Sequence, residues 1–184
     1  MTSVSVLIDR QDDIANGTAT PLNLPKFDTY SICNLRGGIG KTSLAFNLSY
    51  YIDDLLVLDT CPQGNLSYFF DNNFLSSSSL SVNDLLMPYF VPGMGYATRV
   101  AKKVSATNQH FTGKNTFFIP SSSDLYILPT QIANALAQAR LITGANQTTV
   151  IDNMLFSLKN EIIREKAETS TTRCLIDTSP FFSG

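Results

Sequence analysis

A glycine-rich stretch between an apolar run and an amphipathic segment most constrains the fold of this chain. Residues 34–51 have the sequence NLRGGIGKTSLAFNLSYY. The run before the glycines, YSICNL at 30–35, predicts a short buried strand. Apolar residues then recur four apart, as on one face of a helix: Leu44, Leu48 and Ile52. The segment therefore predicts a strand, a tight turn and a helix.

The turn has the composition of a phosphate-binding loop. Glycines let backbone N–H groups approach and surround phosphate oxygens, and the helix N-terminus that follows favours an anion. Lys41 supplies charge for the outer phosphates, and the Thr42 hydroxyl suits Mg²⁺, which prefers oxygen ligands. The alternative, a glycine turn beside a solvated lysine, is disfavoured by the flanking strand and helix. The candidate cofactor-binding residues are Gly37, Gly38, Ile39, Gly40, Lys41, Thr42 and Ser43.

Two acids stand at the ends of other apolar runs. LLVLD at 55–59 and RCLIDT at 173–178 predict buried strands that carry Asp59 and Asp177 near their carboxyl ends. Alternating strands and helices favour a parallel sheet, in which ligands bind beyond the carboxyl ends of the strands. We therefore expect the loop and both acids at one edge, with Thr42, Asp59 and Asp177 as the candidate metal site.

The rest of the chain gives less specific predictions. In order, they are an arm without sustained periodicity over 1–28, a turn over 62–65, a flexible loop over 76–81, a short helix within 81–90 that Pro88 ends, a strand over 125–129, a helix over 132–137 and a longer amphipathic helix over 151–162.

Composition excludes several classes of protein. The 184 residues suit one domain, and 43% are apolar, which is enough for a core. A net charge of −2 gives no general attraction to nucleic acid. No apolar run approaches the roughly 18 residues that a membrane span needs. Three widely spaced cysteines fit neither a disulfide framework nor a zinc site, and indicate reduced thiols in a cytosol.

Isolated polar and basic residues add little. Cys33 and Cys174 lie in apolar, strand-like runs, where cysteine behaves as a small hydrophobic residue. Arg99, Lys102 and Lys103 have helical spacing; a solvated surface is favoured over contact with nucleic acid. His110 has no partner at ligand spacing and is expected in a loop.

Taken together, the motifs resemble the deviant Walker-A ATPases of the ParA/MinD type, and within them the ParA partition proteins. The family's loop lacks the usual glycine at the position of Leu35, and here continues as RGGIGKTS over 36–43. Its second motif corresponds to LLVLDTCPQGNLS over 55–67, and its third to LIDTSP over 175–180. SVNDLLM and LYILPTQIA also resemble intervening segments. The match runs from about Tyr30 to the end of the chain.

The resemblance implies an α/β, P-loop NTPase-like fold, with a mostly parallel sheet flanked by helices on both faces. Residues 29–184 would be the N-terminal part of the ATPase domain, without its C-terminal strands, preceded by the arm over 1–28. Gly184 would end a fragment or a naturally shortened chain, and a fragment is favoured. The resemblance further implies ATP and Mg²⁺, slow hydrolysis, a nucleotide-dependent homodimer, a ParB-like centromere-binding partner and non-specific DNA binding through the missing C-terminal part. It implies a bacterial cytoplasmic location, with association with the nucleoid left open, and no membrane.

Two residues depart from the family's pattern. Arg36 replaces the signature lysine, which in the family reaches the phosphates bound by the other subunit; arginine keeps the charge with different geometry. Cys61 replaces the acid that positions the attacking water. Since a thiol of ordinary pKa is mostly neutral at pH 7, it is a poor base. The candidate catalytic residues are Arg36, Lys41, Asp59 and Cys61.

These departures leave two main functions open. One is an ATP-dependent partition switch, and the other is a nucleotide-gated binding module that hydrolyses little ATP. A redox role for Cys61 would require a nearby cation to lower its pKa. An iron–sulfur reductase of the same superfamily is disfavoured, because Cys33 and Cys174 are both expected within strands.

Overall fold

The computed structural model describes residues 4–20, 26–34, 36–76, 80–144 and 146–179. Leu35 and part of the predicted 76–81 loop lie outside them. The helices are α1 (Val4–Ala15), α2 (Lys41–Tyr51), α3 (Asn65–Phe70), α4 (Val82–Leu86), α5 (Leu128–Ala139), α6 (Asn146–Leu155) and α7 (Ser157–Thr169). The strands are β1 (Thr29–Ile32), β2 (Leu55–Asp59), β3 (Lys102–Lys103), β4 (Thr116–Ile119) and β5 (Arg173–Asp177).

The strands form one mostly parallel sheet in the order β1-β5-β2-β4-β3. Four of the five strands are parallel, and only β3 pairs antiparallel with β4. Every residue of β2 is buried, which explains its continuous apolar sequence, because a parallel strand covered on both faces has no polar side. The β2–β5 register places Asp59 directly beside Asp177. This register brings the two predicted acids to one edge of the sheet.

Helices cover both faces of the sheet, as the sequence predicts. On one face, Leu56 and Leu58 belong to an apolar cluster with residues of α4, α5 and α7. On the other, Leu55 and Val57 belong to a cluster with residues of α2 and α3. The alternation along β2 thus divides the core into two layers. The second layer supports the helix that begins at the glycine loop.

The predicted strand over 125–129 is wrong. Ser123–Tyr126 forms a 3₁₀ turn, and α5 begins at Leu128 with Pro129 in its first turn, a position that suits proline because no intrahelical N–H bond is lost there. The strand that pairs with β2 is instead β4, which the sequence analysis missed. The helix predicted over 132–137 is confirmed as part of α5.

Smaller corrections concern the helices and the first strand. The helix predicted over 151–162 is two helices, α6 and α7, which meet at Phe156. The arm over 1–28 contains the unpredicted helix α1. The first strand is shorter and more exposed than predicted, since β1 pairs with β5 alone among the described strands. The short helix before Pro88 is confirmed as α4, which continues into a 3₁₀ turn that includes Pro88.

The structure shows where the isolated basic residues, cysteines and histidine lie. Arg99, Lys102 and Lys103 are not on a helix; the charged groups of Arg99 and Lys103 lie over the Phe117 ring, at 5.1 and 5.9 Å from its centroid. Cys33 is exposed beyond β1, contrary to prediction, whereas Cys174 is buried as predicted. His110 lies exposed in a 3₁₀ turn. Within the described ranges, no helix has the length and apolarity to cross a membrane.

Leu58 tests the assignment of β2 to the core. Its side chain is 0% exposed, so Leu58→Ala removes packed methyl groups and leaves a cavity. We expect the free energy of unfolding to fall by about 2–5 kcal/mol. Leu141 is 81% exposed, so the control Leu141→Ala should change it by less than about 0.5 kcal/mol. Urea unfolding monitored by circular dichroism measures both, and equal losses would contradict the assignment.

Candidate functional site

The glycine loop connects the carboxyl end of β1 to the first turn of α2. Gly38 (φ 72°) and Gly40 (φ 86°) are both left-handed, a conformation that glycine adopts without the strain of a Cβ atom. The Asn34 Oδ1 atom accepts a hydrogen bond from the Arg36 N–H at 2.8 Å, which shapes the entry to the turn. Lys41 Nζ donates to the carbonyl oxygen of Arg36 at 3.4 Å. The loop therefore curls around the ammonium group of Lys41.

Thr42 and Asp177 connect this loop to the neighbouring strand. The Thr42 hydroxyl donates to Asp177 Oδ2 at 2.8 Å. Asp177 is 1% exposed, and its Oδ1 atom is buried without a hydrogen-bond partner among the described residues. Burial raises the pKa of Asp177, and the Thr42 hydrogen bond and the charge of Lys41 oppose this effect. An unpaired carboxylate oxygen beside a threonine hydroxyl fits a hydrated Mg²⁺ ion, which binds oxygen ligands.

Asp59 lies next to Asp177, but its carboxylate is already occupied. Its Oδ1 atom accepts from the Cys61 N–H at 3.1 Å, and Oδ2 accepts from both the N–H and the hydroxyl of Ser67 at 2.8 Å. Burial nevertheless raises its pKa to about 6, against the effect of these three hydrogen bonds, with a smaller contribution from the Asp177 charge. Asp59 therefore holds the loop that follows β2.

A cavity of about 590 Å³ lies in front of the glycine loop, within the range of small-molecule sites. Six predicted cofactor-binding positions line it: Gly37, Gly38, Gly40, Lys41, Thr42 and Ser43. The opposite wall consists of Cys61, Gln63, Asn65, Tyr68, Phe69 and Thr178. No carboxylate is among the lining residues that the structure describes. Ile39 and Arg36 are exposed beside the cavity and do not line it.

Cys61 occupies the wall of this cavity as a neutral group. It is 6% exposed, and burial, together with the charges of Asp59 and Asp177, raises the pKa of its thiol. A raised pKa removes the premise of the redox alternative, which required a lowered one. In the described part of the chain, no group of three or more His, Cys, Asp or Glu side chains is placed to hold a metal.

Sequence analysis missed part of the site. Most of the opposite wall, from Gln63 to Phe69, lies within or just after the LLVLDTCPQGNLS motif. The motif itself could therefore have indicated these residues. Ser121, which follows β4, donates its N–H to the Ser67 hydroxyl at 2.9 Å. No local pattern indicates Ser121, because its importance depends on the pairing of β4 with β2.

Several solved structures resemble the chain. Protein DIP2308 from Corynebacterium diphtheriae has a TM-score of 0.61 and 15% identity, over 85% of this chain and 53% of that one. Apo McdA from Cyanothece has a TM-score of 0.53 and 24% identity, over 83% and 50%. A variant of McdA in complex with ATP also matches, with a TM-score of 0.49 and 23% identity, over 83% of this chain and 48% of that one. A plasmid partition protein from Borrelia burgdorferi matches with a TM-score of 0.44 and 13% identity, over 85% and 57%.

The two structures with TM-scores above 0.5 confirm the predicted fold, a mostly parallel α/β sheet flanked by helices. The chain spans about half the length of the structures that it matches. No protein-family model and no curated protein matches the sequence.

The pKa of Asp59 predicts a pH-dependent stability. Because its pKa is about 6 in the folded protein and 3.8 as a model value, the folded state retains a proton that the unfolded chain has lost. The stability contributed by this residue is then greatest below about pH 4, and falls by about 3 kcal/mol as the pH rises to about 6. Above that pH it is constant.

The comparison of the wild type with Asp59→Asn, which cannot titrate, isolates this contribution. Urea unfolding without Mg²⁺ should show the wild type losing stability relative to the variant between about pH 4 and about pH 6. Parallel stability curves for the two proteins would contradict a raised pKa.

Proposed function

We propose that the chain binds ATP and Mg²⁺ at the glycine loop and acts as the nucleotide-binding part of a partition-type ATPase. The observation that carries this proposal is the Thr42–Asp177 hydrogen bond of 2.8 Å beside Lys41, together with a second Asp177 oxygen that is buried and has no partner among the described residues. This arrangement places a hydroxyl, a buried carboxylate oxygen and a cation around the mouth of a glycine loop. A structural turn would need none of them.

Each residue has a distinct role in this proposal. The amides of the loop and of the first turn of α2 would bind phosphate oxygens, because successive N–H groups of a glycine loop and of a helix N-terminus favour an anion. Lys41 exchanges its weak 3.4 Å contact with the Arg36 carbonyl for the outer phosphates. Thr42 and Asp177 hold the hydrated ion, Asp177 through water. The ion would neutralise phosphate charge when bound.

Lys41→Ala tests the phosphate assignment. Lys41 makes one hydrogen bond, to the main chain of its own loop, so the fold should survive its loss. We expect ATP affinity to fall by about 100-fold, because a charged hydrogen-bond donor to the phosphates is lost. Isothermal titration calorimetry measures the affinity, and circular dichroism checks the fold. The control Lys103→Ala, on β3, should bind ATP like the wild type; undiminished affinity in Lys41→Ala would refute the assignment.

A second function is favoured by the residue at position 61. Cys61 is buried in the cavity wall with a raised pKa, and a neutral thiol cannot orient and deprotonate water as a carboxylate does. In this alternative the protein binds ATP and changes its association with partners, but hydrolyses ATP very slowly. The phosphate-binding loop and metal site serve both functions equally.

The partners of this chain follow from the partition function. We propose a nucleotide-dependent homodimer in which Arg36 reaches the other subunit's phosphates, as its exposed position allows. A ParB-like centromere-binding protein and non-specific DNA would be the further partners, in a bacterial cytoplasm. Residues 29–184 would form the nucleotide-binding part and residues 1–28 an accessory arm.

Cys61→Asp distinguishes the two functions. If the thiol limits hydrolysis, a carboxylate at this position should raise the rate of phosphate release by about 10²–10⁴-fold. Phosphate release with Mg-ATP, measured with and without DNA and the partner, gives the rate. The matched control Cys33→Asp changes an exposed cysteine outside the cavity and should leave the rate unchanged. Rapid release by the wild type, unaltered in Cys61→Asp, would exclude the binding-module function.

A further inference from the structure

Four residues beside the cavity form a closed ring of hydrogen bonds. Asp59 accepts from the Cys61 N–H at 3.1 Å and from the N–H and hydroxyl of Ser67 at 2.8 Å. The Ser67 hydroxyl accepts from the Ser121 N–H at 2.9 Å, and the Ser121 hydroxyl donates to the Cys61 carbonyl. The ring thus connects the end of β2 and the first turn of α3 to Ser121, which lies two residues after the end of β4.

The ring is shielded from water. Ser67 is 0% exposed and Ser121 is 5% exposed, so water cannot readily replace these hydrogen bonds. Buried polar groups that are all paired hold one arrangement firmly, because each unmade bond would carry its full desolvation cost. The main chain of Cys61 is held at its N–H by Asp59 and at its carbonyl group by the Ser121 hydroxyl and by the Gly64 N–H, which donates at 2.9 Å. Its side chain meanwhile lines the cavity.

We propose that Asp59, Ser67 and Ser121 are positioning residues that fix the Cys61 loop against the phosphate cavity. In this role Asp59 acts on the loop, through the three hydrogen bonds that its oxygens accept. The assignment of the positioned group to a phosphate site rests on the proposed function, whereas the ring itself does not. The residue at position 61 is then presented at one fixed place, whether it carries a thiol or a carboxylate.

The test measures how fast Cys61 reacts with a thiol reagent. A Cys33→Ser background removes the exposed thiol and leaves Cys61 and the buried Cys174. Ser121→Ala deletes only the hydroxyl bond to the Cys61 carbonyl and keeps the main-chain bond to Ser67. The control Ser123→Ala changes an exposed serine two residues along the same segment. Labelling with iodoacetamide, followed by peptide mass spectrometry, gives the rate at each cysteine.

Local opening of the loop should raise the Cys61 rate by about threefold to tenfold in Ser121→Ala, because one buried hydrogen bond is lost. Cys174, in the core strand β5, reports opening of the whole domain, and its rate should not change. Ser123→Ala should match the parent at both cysteines. An unchanged Cys61 rate, or equal acceleration at both cysteines, would overturn the proposal.

Mg-ATP separates this inference from the proposed function. Protection of Cys61 by Mg-ATP is expected if the cavity holds the phosphates. Absence of this protection would contradict the nucleotide site. The difference in Cys61 labelling rate between Ser121→Ala and the parent would still test the ring. In a Cys61→Asp background that hydrolyses ATP, Ser121→Ala should lower kcat and leave ATP affinity unchanged, as positioning requires. A parallel loss of affinity would indicate a general structural role.

Discussion

The parallel register of β2 with β5 is the constraint on which the rest of the site depends. It sets Asp59 beside Asp177 at the carboxyl edge of the sheet, with both side chains 1% exposed. Two buried carboxylates cannot remain there without donors, because burial of an unpaired charge is costly. The surrounding loops supply those donors, Thr42 to one acid and Ser67 with the Cys61 main chain to the other. The positions of the glycine-loop helix and of the loop after β2 are thus tied to the same pair of acids.

The two acids nevertheless play different parts. Both oxygens of Asp59 accept hydrogen bonds from the loop after β2, whereas one oxygen of Asp177 accepts from Thr42 in α2 and the other has no partner in the described part of the chain. The sequence analysis treated them as equivalent candidates for a metal site, since both end an apolar strand. Only the hydrogen-bond partners of the two acids distinguish their roles.

How much of the structure could be predicted from the sequence depends on how far apart in the sequence the interacting residues lie. The central strands β2 and β5 and the glycine loop have local patterns, a continuous apolar run or a fixed motif, and were predicted with nearly correct bounds. The strand over 116–119 and the run over 125–129 are both short and apolar, so local pattern could not choose between them. Their long-range environment distinguishes them: residues 116–119 pair with β2 as β4, whereas Pro129 fits the first turn of α5. The ring through Ser121 needs that pairing first, and was therefore beyond sequence analysis.

The cysteine at position 61 also has an electrostatic consequence for the protein without nucleotide. Burial raises the pKa of the Cys61 thiol, and the charges of Asp59 and Asp177 add to this effect, so this position is close to both acids. A carboxylate there would be a third like charge in a partly buried cluster, which disfavours the ionised form of each member. A neutral thiol at this position avoids that repulsion. Under the proposed function, a carboxylate at position 61 would assist hydrolysis but lower the stability of the folded protein, so the two requirements oppose each other at this residue.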